Sequence, residues 1–318
     1  MKYEDKISRF FTWDIHYSCN YYCVYCFFAH KWQEMAKVNT YPGLDKWIDA
    51  WKSVFDRYGS CNIHITGGEP FSYPGIMDLC AALENMHKLS FDTNLSFDPG
   101  ELLAKLQHPE RKGFSAAFHP DHAQIDVFID KLSVLRSAGC RIGGMNFVAY
   151  PPNLERISDY ARAASKAGFN ITVMPFRGVY EGKEYPAAYT DRQKHLIRTL
   201  GQEEYDEKSE KACSDDNKHE PDEKVSDQML EWYSKDGSRE GMLCMMGQVY
   251  SKVHPDGNAH RCCMTWKNWG LLGNLLEGTF EFYDDPMPCL WAKCSCSSAM
   301  IVGEEKRWEE HWKGRRGE

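Results

Sequence analysis

Six short apolar segments alternate with longer amphipathic segments over residues 10–176, and this alternation constrains the fold more than any other feature. The segment 43–59 carries apolar residues at the spacing of one helix face, and segments 125–139 and 154–168 also end in glycine, as helices often do. The apolar segments are brief and end in turn or polar residues, which is typical of strands. They are residues 11–16, 62–66, 89–93, 114–118, 142–150 and 170–176.

This alternation predicts an α/β fold. Strands that alternate with helices pair in parallel through right-handed crossovers, so the helices pack outside the sheet. A closed eightfold barrel takes about 250 residues, whereas the pattern here leaves room for six units. We therefore expect a partial (β/α)6 TIM-like barrel in residues 1–200, with its chemistry at the carboxyl ends of the strands.

The sequence changes character after the sixth strand. Residues 203–223 contain ten acidic and three basic residues and almost nothing apolar. This composition predicts a solvated linker or lid over residues 201–240. A lid that orders over substrate is the alternative to a plain linker. A small cysteine-rich domain, ending in a helix, is expected over residues 241–318.

The composition excludes several classes of function. The net charge of −8 argues against a general nucleic-acid binder, which needs a basic surface to displace counterions. The chain shows no secretory signal and no stretch of the roughly 18 apolar residues that a membrane span needs. We therefore expect a cytoplasmic protein without membrane association. Thiols stay reduced there, so its thirteen cysteines indicate metal binding or catalysis rather than disulfides.

Three of these cysteines lie within eight positions directly after the first strand. Cys19, Cys23 and Cys26 have the spacing C-x3-C-x2-C, so one loop brings three thiolates to one metal centre. A structural zinc site has four protein ligands, and bacterial ferredoxins have the run C-x2-C-x2-C-x3-C-P. Neither pattern is present here. Three thiolates on a four-iron cube leave one iron without a protein ligand, and that iron is free to bind and activate a small molecule.

These residues resemble the signature of the radical S-adenosylmethionine (SAM) superfamily, in which an aromatic residue, here Tyr25, precedes the last cysteine. A second landmark of that superfamily, the GGE motif after strand 2, is matched by residues 66–70, TGGEP. The resemblance implies that SAM chelates the open iron of a [4Fe-4S] cluster. One electron then splits SAM into methionine and a 5′-deoxyadenosyl radical, which takes a hydrogen atom from the substrate. Glycines suit this site because backbone carbonyls can approach the SAM amino group without a Cβ in the way.

The resemblance also implies further contacts with SAM at the ends of the barrel strands. Tyr25 is a candidate to lie against adenine, although core packing explains it equally well. Thr93 and Asn94 after strand 3 are candidates for hydrogen bonds to the ribose or carboxylate, or else form a turn or cap. The full set of expected cofactor contacts is Tyr25, Gly67, Gly68, Glu69, Pro70, Thr93, Asn94, Ser115 and Asn146.

A second group of cysteines opens at Cys244, which is followed by twelve residues, Gly257, four residues and Cys262. The Asp256-Gly257 pair predicts a hairpin turn between the two cysteines. This arrangement resembles the SPASM/Twitch auxiliary domain of many radical SAM enzymes. The resemblance implies one auxiliary [4Fe-4S] cluster that transfers electrons, with zinc as the alternative metal. Its expected ligands are Cys244, Cys262 and two or three of Cys289, Cys294 and Cys296.

The sequence predicts a radical SAM enzyme that oxidises or rearranges a small polar metabolite and receives its electron from a reductant of the flavodoxin or ferredoxin type. The small-metabolite interpretation rests on the first strand, which begins by about residue 11 and leaves no room for a peptide-binding extension before it. A ribosomal-peptide maturase, forming thioethers, carbon–carbon crosslinks or epimers, is the alternative. A non-catalytic iron–sulfur electron carrier is the alternative from another class.

Overall fold

The computed structural model describes residues 9–26, 28, 31–200, 243–263 and 270–289. All six predicted strands are present, and each begins and ends within two residues of its predicted position. The predicted linker 201–240 and the predicted C-terminal helix lie outside the described residues. The first six strands are β1 Phe10–His16, β2 Asn62–Gly67, β3 Lys88–Thr93, β4 Lys112–Ala117, β5 Arg141–Ala149 and β6 Ile171–Pro175.

Helices connect these strands, and the three predicted ones are present as α2, α5 and α6. The first three residues of the predicted segment 154–168 differ, because residues Pro151–Arg156 form a 3-10 helix before α6 begins. The helices are α1 Trp32–Met35, α2 Leu44–Tyr58, α3 Ile76–Leu83, α4 Pro99–Leu103, α5 Ile125–Ser137, α6 Ile157–Lys166 and α7 Asp191–Thr199.

Within the described residues, seven shorter strands follow β6. One pair, β7 and β8, forms a separate antiparallel hairpin, and another pair, β9 and β13, forms a second small sheet. The remaining three join the main sheet. The strands are β7 Gly178–Tyr180, β8 Lys183–Tyr185, β9 Leu243–Cys244, β10 Tyr250–Val253, β11 Asn258–His260, β12 Leu271–Asn274 and β13 Met287–Pro288.

The main sheet has nine strands in the order β12-β11-β10-β1-β2-β3-β4-β5-β6. Strands β1 to β6 pair in parallel with their sequence neighbours, which confirms the predicted α/β barrel architecture. The predicted hairpin of the cysteine-rich segment is β10–β11. It is hydrogen-bonded to the barrel, because β10 pairs in parallel with β1, with Phe10 opposite Tyr250. The cysteine-rich segment therefore extends the same sheet.

Aromatic side chains fill the space between the sheet and α2. Trp13 on β1 lies 4.6 Å from Trp47 and 5.2 Å from Trp51, measured between ring centroids. Phe11 also contacts Trp51, and all four side chains are buried. Since side chains alternate across a strand, burying residues 11 and 13 outside directs residues 12 and 14 to the inner, concave face. The hydrophobic core thus lies outside the sheet and leaves the inner face to other residues.

One ion pair is buried under the outer layer. Lys112 at the start of β4 lies 3.3 Å from the carboxylate of Glu84, and neither side chain is exposed by more than 2%. Glu84 also accepts hydrogen bonds from the backbone N–H groups of Gln107 and His108. The pair fastens the chain segment before β4 to the end of α3. Among the described helices, none has the length and apolar character required to cross a bilayer.

Candidate functional site

The predicted metal centre lies in the loop that follows β1. Cys19, Cys23 and Cys26 are free thiols. A turn closed by the Cys26 N–H donating to the Cys23 carbonyl, at 3.0 Å, brings the last two together. Cys26 is close enough to raise the pKa of Cys19, and both Cys19 and Cys26 are close enough to raise the pKa of Cys23. The structure therefore gathers the three predicted ligands at one place.

The thiols fit an iron–sulfur cluster by their surroundings. Burial raises the pKa of Cys19, and it raises the pKa of Cys23 to about 12, so these thiolates need a cationic centre to form. Backbone N–H groups of Tyr21 and Phe28 donate to the sulfur atoms of Cys19 and Cys26, each at 3.4 Å. Such donors stabilise thiolates on a cluster. Among the described residues, no group of three His, Cys, Asp or Glu side chains is arranged to hold a single metal ion.

The two glycines of the TGGEP motif hold this loop against the end of β2. Gly67 has a φ of +123°, a region that side chains disfavour. A Cβ on Gly68 would overlap the carbonyl oxygen of Ser18 and lie 3.0 Å from the nitrogen of Cys19. The Gly68 N–H donates to the His16 carbonyl at 2.8 Å. The two glycines are therefore needed because the end of β1 packs closely against them. This need is separate from the predicted need to let SAM approach.

Glu69 ties the ends of β2 and β3 together. Its side chain is 1% exposed, and its carboxylate accepts hydrogen bonds from the Thr93 hydroxyl at 2.8 Å, the Asn94 N–H at 2.7 Å and the Phe71 N–H at 3.0 Å. Burial raises the pKa of Glu69, whereas the three hydrogen-bond donors lower it because they favour the carboxylate. The effect of burial is larger, and the pKa is about 6. Pro70 is buried and begins the short 3-10 helix Pro70–Ser72.

Asn94 connects this carboxylate to the cysteine loop. Its side-chain amide donates to the Asn20 side chain at 3.0 Å and lies 4.0 Å from the sulfur of Cys19. Three residues predicted separately, Glu69, Thr93 and Asn94, therefore form one hydrogen-bonded unit beside Cys19. Asn20 belongs to this unit and was missed by the sequence analysis; its position next to Cys19 was the only signal.

The other predicted contacts lie farther along the same edge. Ser115 on β4 and Asn146 on β5 are brought together on the inner face, and the Asn146 amide donates to the Ser115 hydroxyl at 2.7 Å. Tyr25 is 4% exposed, and its hydroxyl lies 3.3 Å from Nδ1 of His119. Burial lowers the pKa of His119 to about 4, so this imidazole is neutral at pH 7. Its ring and that of Tyr150 flank Tyr25.

The inner face carries charged residues that the sequence analysis did not identify. His64 on β2 lies 2.9 Å from the carboxylate of Asp92 on β3, and Lys252 on β10 lies 2.8 Å from the carboxylate of Asp14. The signal was present in the alternation of polar and apolar residues along β2 and β3. Strands of parallel sheets are usually apolar on both faces, so this alternation indicated a polar interior.

The second cysteine group gathers at the opposite end of β1. Cys244 and Cys262 both pack beside Met246 and Tyr250, and Tyr250 pairs with Phe10 at the start of β1. Burial raises the pKa of Cys244, and the neighbouring thiols Cys289 and Cys262 raise it further. Cys263, next to Cys262, is disulfide-bonded, contrary to the expectation that the cysteines stay reduced, whereas Cys244, Cys262 and Cys289 form no disulfide. The predicted ligands Cys294 and Cys296 lie outside the described residues.

Comparisons with known proteins agree with this geometry. The crystal structure of Streptococcus suis SuiB bound to S-adenosylmethionine superimposes with a TM-score of 0.55 at 14% identity, covering 85% of this chain and 64% of SuiB. The structure of anSMEcpe with bound AdoMet superimposes with a TM-score of 0.51 at 14% identity, covering 84% of this chain and 78% of that one. Both are radical SAM enzymes. This chain has the radical SAM fold.

A curated relative extends the similarity to the sequence. Mycofactocin maturase MftC of Mycolicibacterium smegmatis, also a radical SAM enzyme, is 22% identical over 288 residues, covering 85% of this chain and 68% of the relative. No protein-family model matches the chain. The chain spans about two thirds of the length of MftC and slightly less of SuiB. The radical SAM resemblance predicted from Cys19, Cys23, Cys26 and the TGGEP motif is confirmed.

Proposed function

We propose that this chain is a radical SAM enzyme that removes a hydrogen atom from a substrate held inside the barrel. The observation that supports this proposal is the hydrogen-bonded unit in which Glu69, Thr93 and Asn94 contact the cysteine loop at Cys19. Such a unit would hold the cysteine loop, and a cluster bound to it, at the carboxyl ends of β2 and β3. When bound, the cluster and SAM together supply the 5′-deoxyadenosyl radical.

Each part of the unit has a separate task. Cys19, Cys23 and Cys26 would hold three irons of the cube, and the fourth iron would face the strand ends. Gly67 and Gly68 keep the backbone of β2 in contact with that of the loop, so the thiolates stay in register with the sheet. Thr66, Gly67 and Gly68 are only partly buried, and their backbone carbonyls would be suited to accept hydrogen bonds from the SAM ammonium group.

Tyr25 and the residues of β4 and β5 complete the proposed SAM site. The Tyr25 ring is buried against His119 and Tyr150, and this group of rings would form the wall against which adenine lies. Ser115 and Asn146, which bond to each other, present polar atoms suited to ribose hydroxyls. The neutral His119 avoids placing a second cation beside the sulfonium of SAM.

The comparisons favour a peptide as the substrate. SuiB also superimposes in a structure bound to its precursor peptide SuiA, with a TM-score of 0.51. A further structure of anSMEcpe holds both AdoMet and the Cp18Cys peptide, again with a TM-score of 0.51, and MftC is named a maturase. We therefore propose modification of a peptide side chain as the leading activity. Oxidation of a small polar metabolite, favoured by the sequence alone, becomes the second candidate.

The second cysteine group would hold one auxiliary [4Fe-4S] cluster. Cys244, Cys262 and Cys289 are the described ligands, to be completed by Cys294 or Cys296. A cluster with all positions filled by cysteine is suited to electron transfer rather than substrate binding. Because β1 is seven residues long, roughly 20 Å, the two clusters would lie at opposite ends of the barrel interior. A cytoplasmic reductant of the flavodoxin or ferredoxin type would supply the electron for SAM cleavage.

Anaerobic reconstitution with iron and sulfide, followed by SAM and dithionite, tests the proposal. We expect 5′-deoxyadenosine and methionine from the natural chain and neither product from Cys23→Ala. Cys140→Ala is the matched control, because Cys140 is a buried free thiol outside both cysteine groups. Cys244→Ala should retain about half of the iron and lose one of two EPR signals. Zinc in place of iron, or a reduced cluster that never yields 5′-deoxyadenosine, would refute the enzyme and favour an electron carrier.

A further inference from the structure

The inner face of the sheet is polar where barrels of this type are usually apolar. TIM-barrel interiors are filled by layers of branched apolar side chains. Here the positions that alternate with the outer core residues on β2 and β3 are polar or charged. The inner-face residues include Asp14, His64, Thr66, Asp92, Ser115 and Lys252.

Two ion pairs on this face differ in their exposure to solvent. Asp14 and Lys252 pair at 2.8 Å with only 3% and 16% of their side chains exposed, and the Tyr17 hydroxyl donates to the same carboxylate at 2.9 Å. That pair is enclosed and links β1 to β10. Asp92 and His64 pair at 2.9 Å, yet 50% of the Asp92 side chain and 33% of the His64 side chain remain accessible.

The exposure of Asp92 is unusual for its position. β3 lies between β2 and β4 in the sheet; it pairs with β2 as far as Phe91 and with β4 through Asp92 and Thr93. The exposure of Asp92 therefore indicates that the inner face is open at this point. Asp92 directly precedes Thr93 and Asn94, which form the unit beside Cys19. Its carboxylate therefore faces the interior close to the proposed SAM site.

The neighbours of Asp92 hold it ionised and oriented. Although its side chain is accessible from the interior, protein surrounds Asp92 deeply enough that desolvation alone would raise its pKa; the His64 imidazole and the hydroxyls of Ser115 and Thr66 outweigh that effect, and the pKa is lowered. Burial would lower the pKa of His64, and Asp92 reverses this, so the pKa of His64 is raised. Nδ1 of His64 is fixed by the Ser90 hydroxyl at 2.9 Å. Both ring nitrogens are thus engaged, and the open group of the pair is the carboxylate.

We propose that Asp92, held by His64, is the substrate-orienting group of the barrel and accepts a hydrogen bond from an ammonium, hydroxyl or amide N–H group of the substrate. A carboxylate has about four acceptor positions, and its three neighbours leave room for a ligand. The proposal deepens the proposed function, on which it rests. An acceptor at Asp92 would select substrates that have a hydrogen-bond donor near the carbon that loses hydrogen. Both a peptide and a small metabolite can meet this requirement.

Deuterium transfer tests this with defined probes. The reconstituted holoenzyme, SAM and dithionite are incubated with perdeuterated ethylene glycol, carbon-deuterated ethanolamine, or perdeuterated ethylene glycol dimethyl ether, which has no donor. The measured quantity is the deuterated fraction of the 5′-deoxyadenosine formed, which does not depend on the total amount. We expect label from the glycol and ethanolamine and little from the ether. Because ethanolamine carries a hydroxyl as well as an ammonium group, a larger labelled fraction from ethanolamine than from the glycol indicates a preference for ammonium.

The variants separate Asp92 from its surroundings. Asp92→Asn, which removes the charge but keeps the shape, should lower the labelled fraction about tenfold, because a hydrogen bond to a charged group is replaced by a weaker one. His64→Gln should lower it less, and serves as well if Asp92→Asn does not fold. Glu110→Gln is the matched control, since Glu110 pairs with His108 at 3.2 Å on the outer surface. Equal labelling in Asp92→Asn and Glu110→Gln, or equal labelling from glycol and ether, overturns the proposal.

A second measurement keeps the inference separate from the radical chemistry. In holoenzyme with 15N-labelled histidine, ethanolamine should shift the ring nitrogen resonances of His64 in the natural chain and in Glu110→Gln, and leave them unmoved in Asp92→Asn. If the natural chain forms no 5′-deoxyadenosine, the proposed function fails while this titration still decides the role of Asp92. An unchanged His64 spectrum at saturating ethanolamine counts against that role.

Discussion

Gly68 offers the sharpest test of how the cysteine loop is positioned. In Gly68→Ala the new Cβ would overlap the Ser18 carbonyl oxygen, and every near atom belongs to backbone, so no side chain can rotate away. Ordinary carbon–oxygen contact requires the two segments to separate by about 1.5 Å. That separation breaks the hydrogen bond from Gly68 N–H to His16 and the one from Glu69 N–H to Ser18, at 2.8 and 3.0 Å.

Two effects follow, and they are measured separately. Loss of two backbone hydrogen bonds lowers the free energy of unfolding by about 2 kcal/mol, which urea denaturation followed by circular dichroism would detect. Displacement of Cys19 by more than 1 Å lowers SAM cleavage about a hundredfold, the usual penalty for such a misplacement. The cleavage rate is measured as 5′-deoxyadenosine per N-terminal cluster, so that partial iron loading does not distort it.

Gly143→Ala is the matched control. A Cβ at Gly143 would meet its nearest neighbour at 3.6 Å, an ordinary contact, and this glycine lies on a strand of the same sheet. We expect near-normal stability and cleavage from it. If Gly68→Ala behaves like Gly143→Ala in both assays, the close packing of β2 on the loop does not hold the cysteines in place, and the explanation given for the glycine pair is wrong.

Two further changes test the packing around the site. Lys112→Met should cost about 3–5 kcal/mol of unfolding free energy, because it leaves the buried Glu84 carboxylate without its cation; urea denaturation measures the loss. His254→Gln should flatten the pH dependence of stability. Burial lowers the pKa of His254 from 6.5 to about 4, so the folded chain loses up to about 3 kcal/mol as pH falls through that range. The variant should lack that loss, as denaturation curves between pH 7 and pH 4 would reveal.

Surface residues provide the controls for both changes. Lys105→Met removes an exposed lysine paired with Asp78 and should cost less than about 1 kcal/mol. A similar cost for Lys112→Met would contradict the importance of the buried pair. His195→Gln replaces an exposed histidine and should keep the natural pH dependence. An equal flattening in both histidine variants would show that burial of His254 is not its cause.

The sequence was sufficient to predict local structure, because strands and helices follow from the pattern of neighbouring residues. Six strands and three helices follow from the spacing of apolar residues, and the cysteine triplet falls where the first strand ends. The pairing of β10 with β1 could not be predicted, because nothing in residues 250–253 indicates a partner 240 positions earlier. Strand pairing depends on how apolar faces meet in three dimensions, and the local sequence is silent about that.

The candidate site shows the same division. Glu69, Thr93 and Asn94 were each identified, as a motif residue and as strand-end polar residues, but not as one another's hydrogen-bond partners. Their assembly depends on the register between β2 and β3. His64 and Asp92 were overlooked because a lone polar residue inside a strand is usually explained by solvent exposure. These two side chains face an interior only because the sheet is curved.

The union of β1 and β10 has a consequence for synthesis. Phe10 leaves the ribosome 240 residues before its partner Tyr250, a delay of roughly 12 to 48 s at ordinary elongation rates of about 5–20 residues per second. Throughout that interval one side of β1 is an unpaired edge, open to other nascent chains. The inward-pointing charge of Asp14 would discourage such pairing. Until Lys252 is synthesised and pairs with it, the Asp14 carboxylate would reduce aggregation through the unpaired edge of β1.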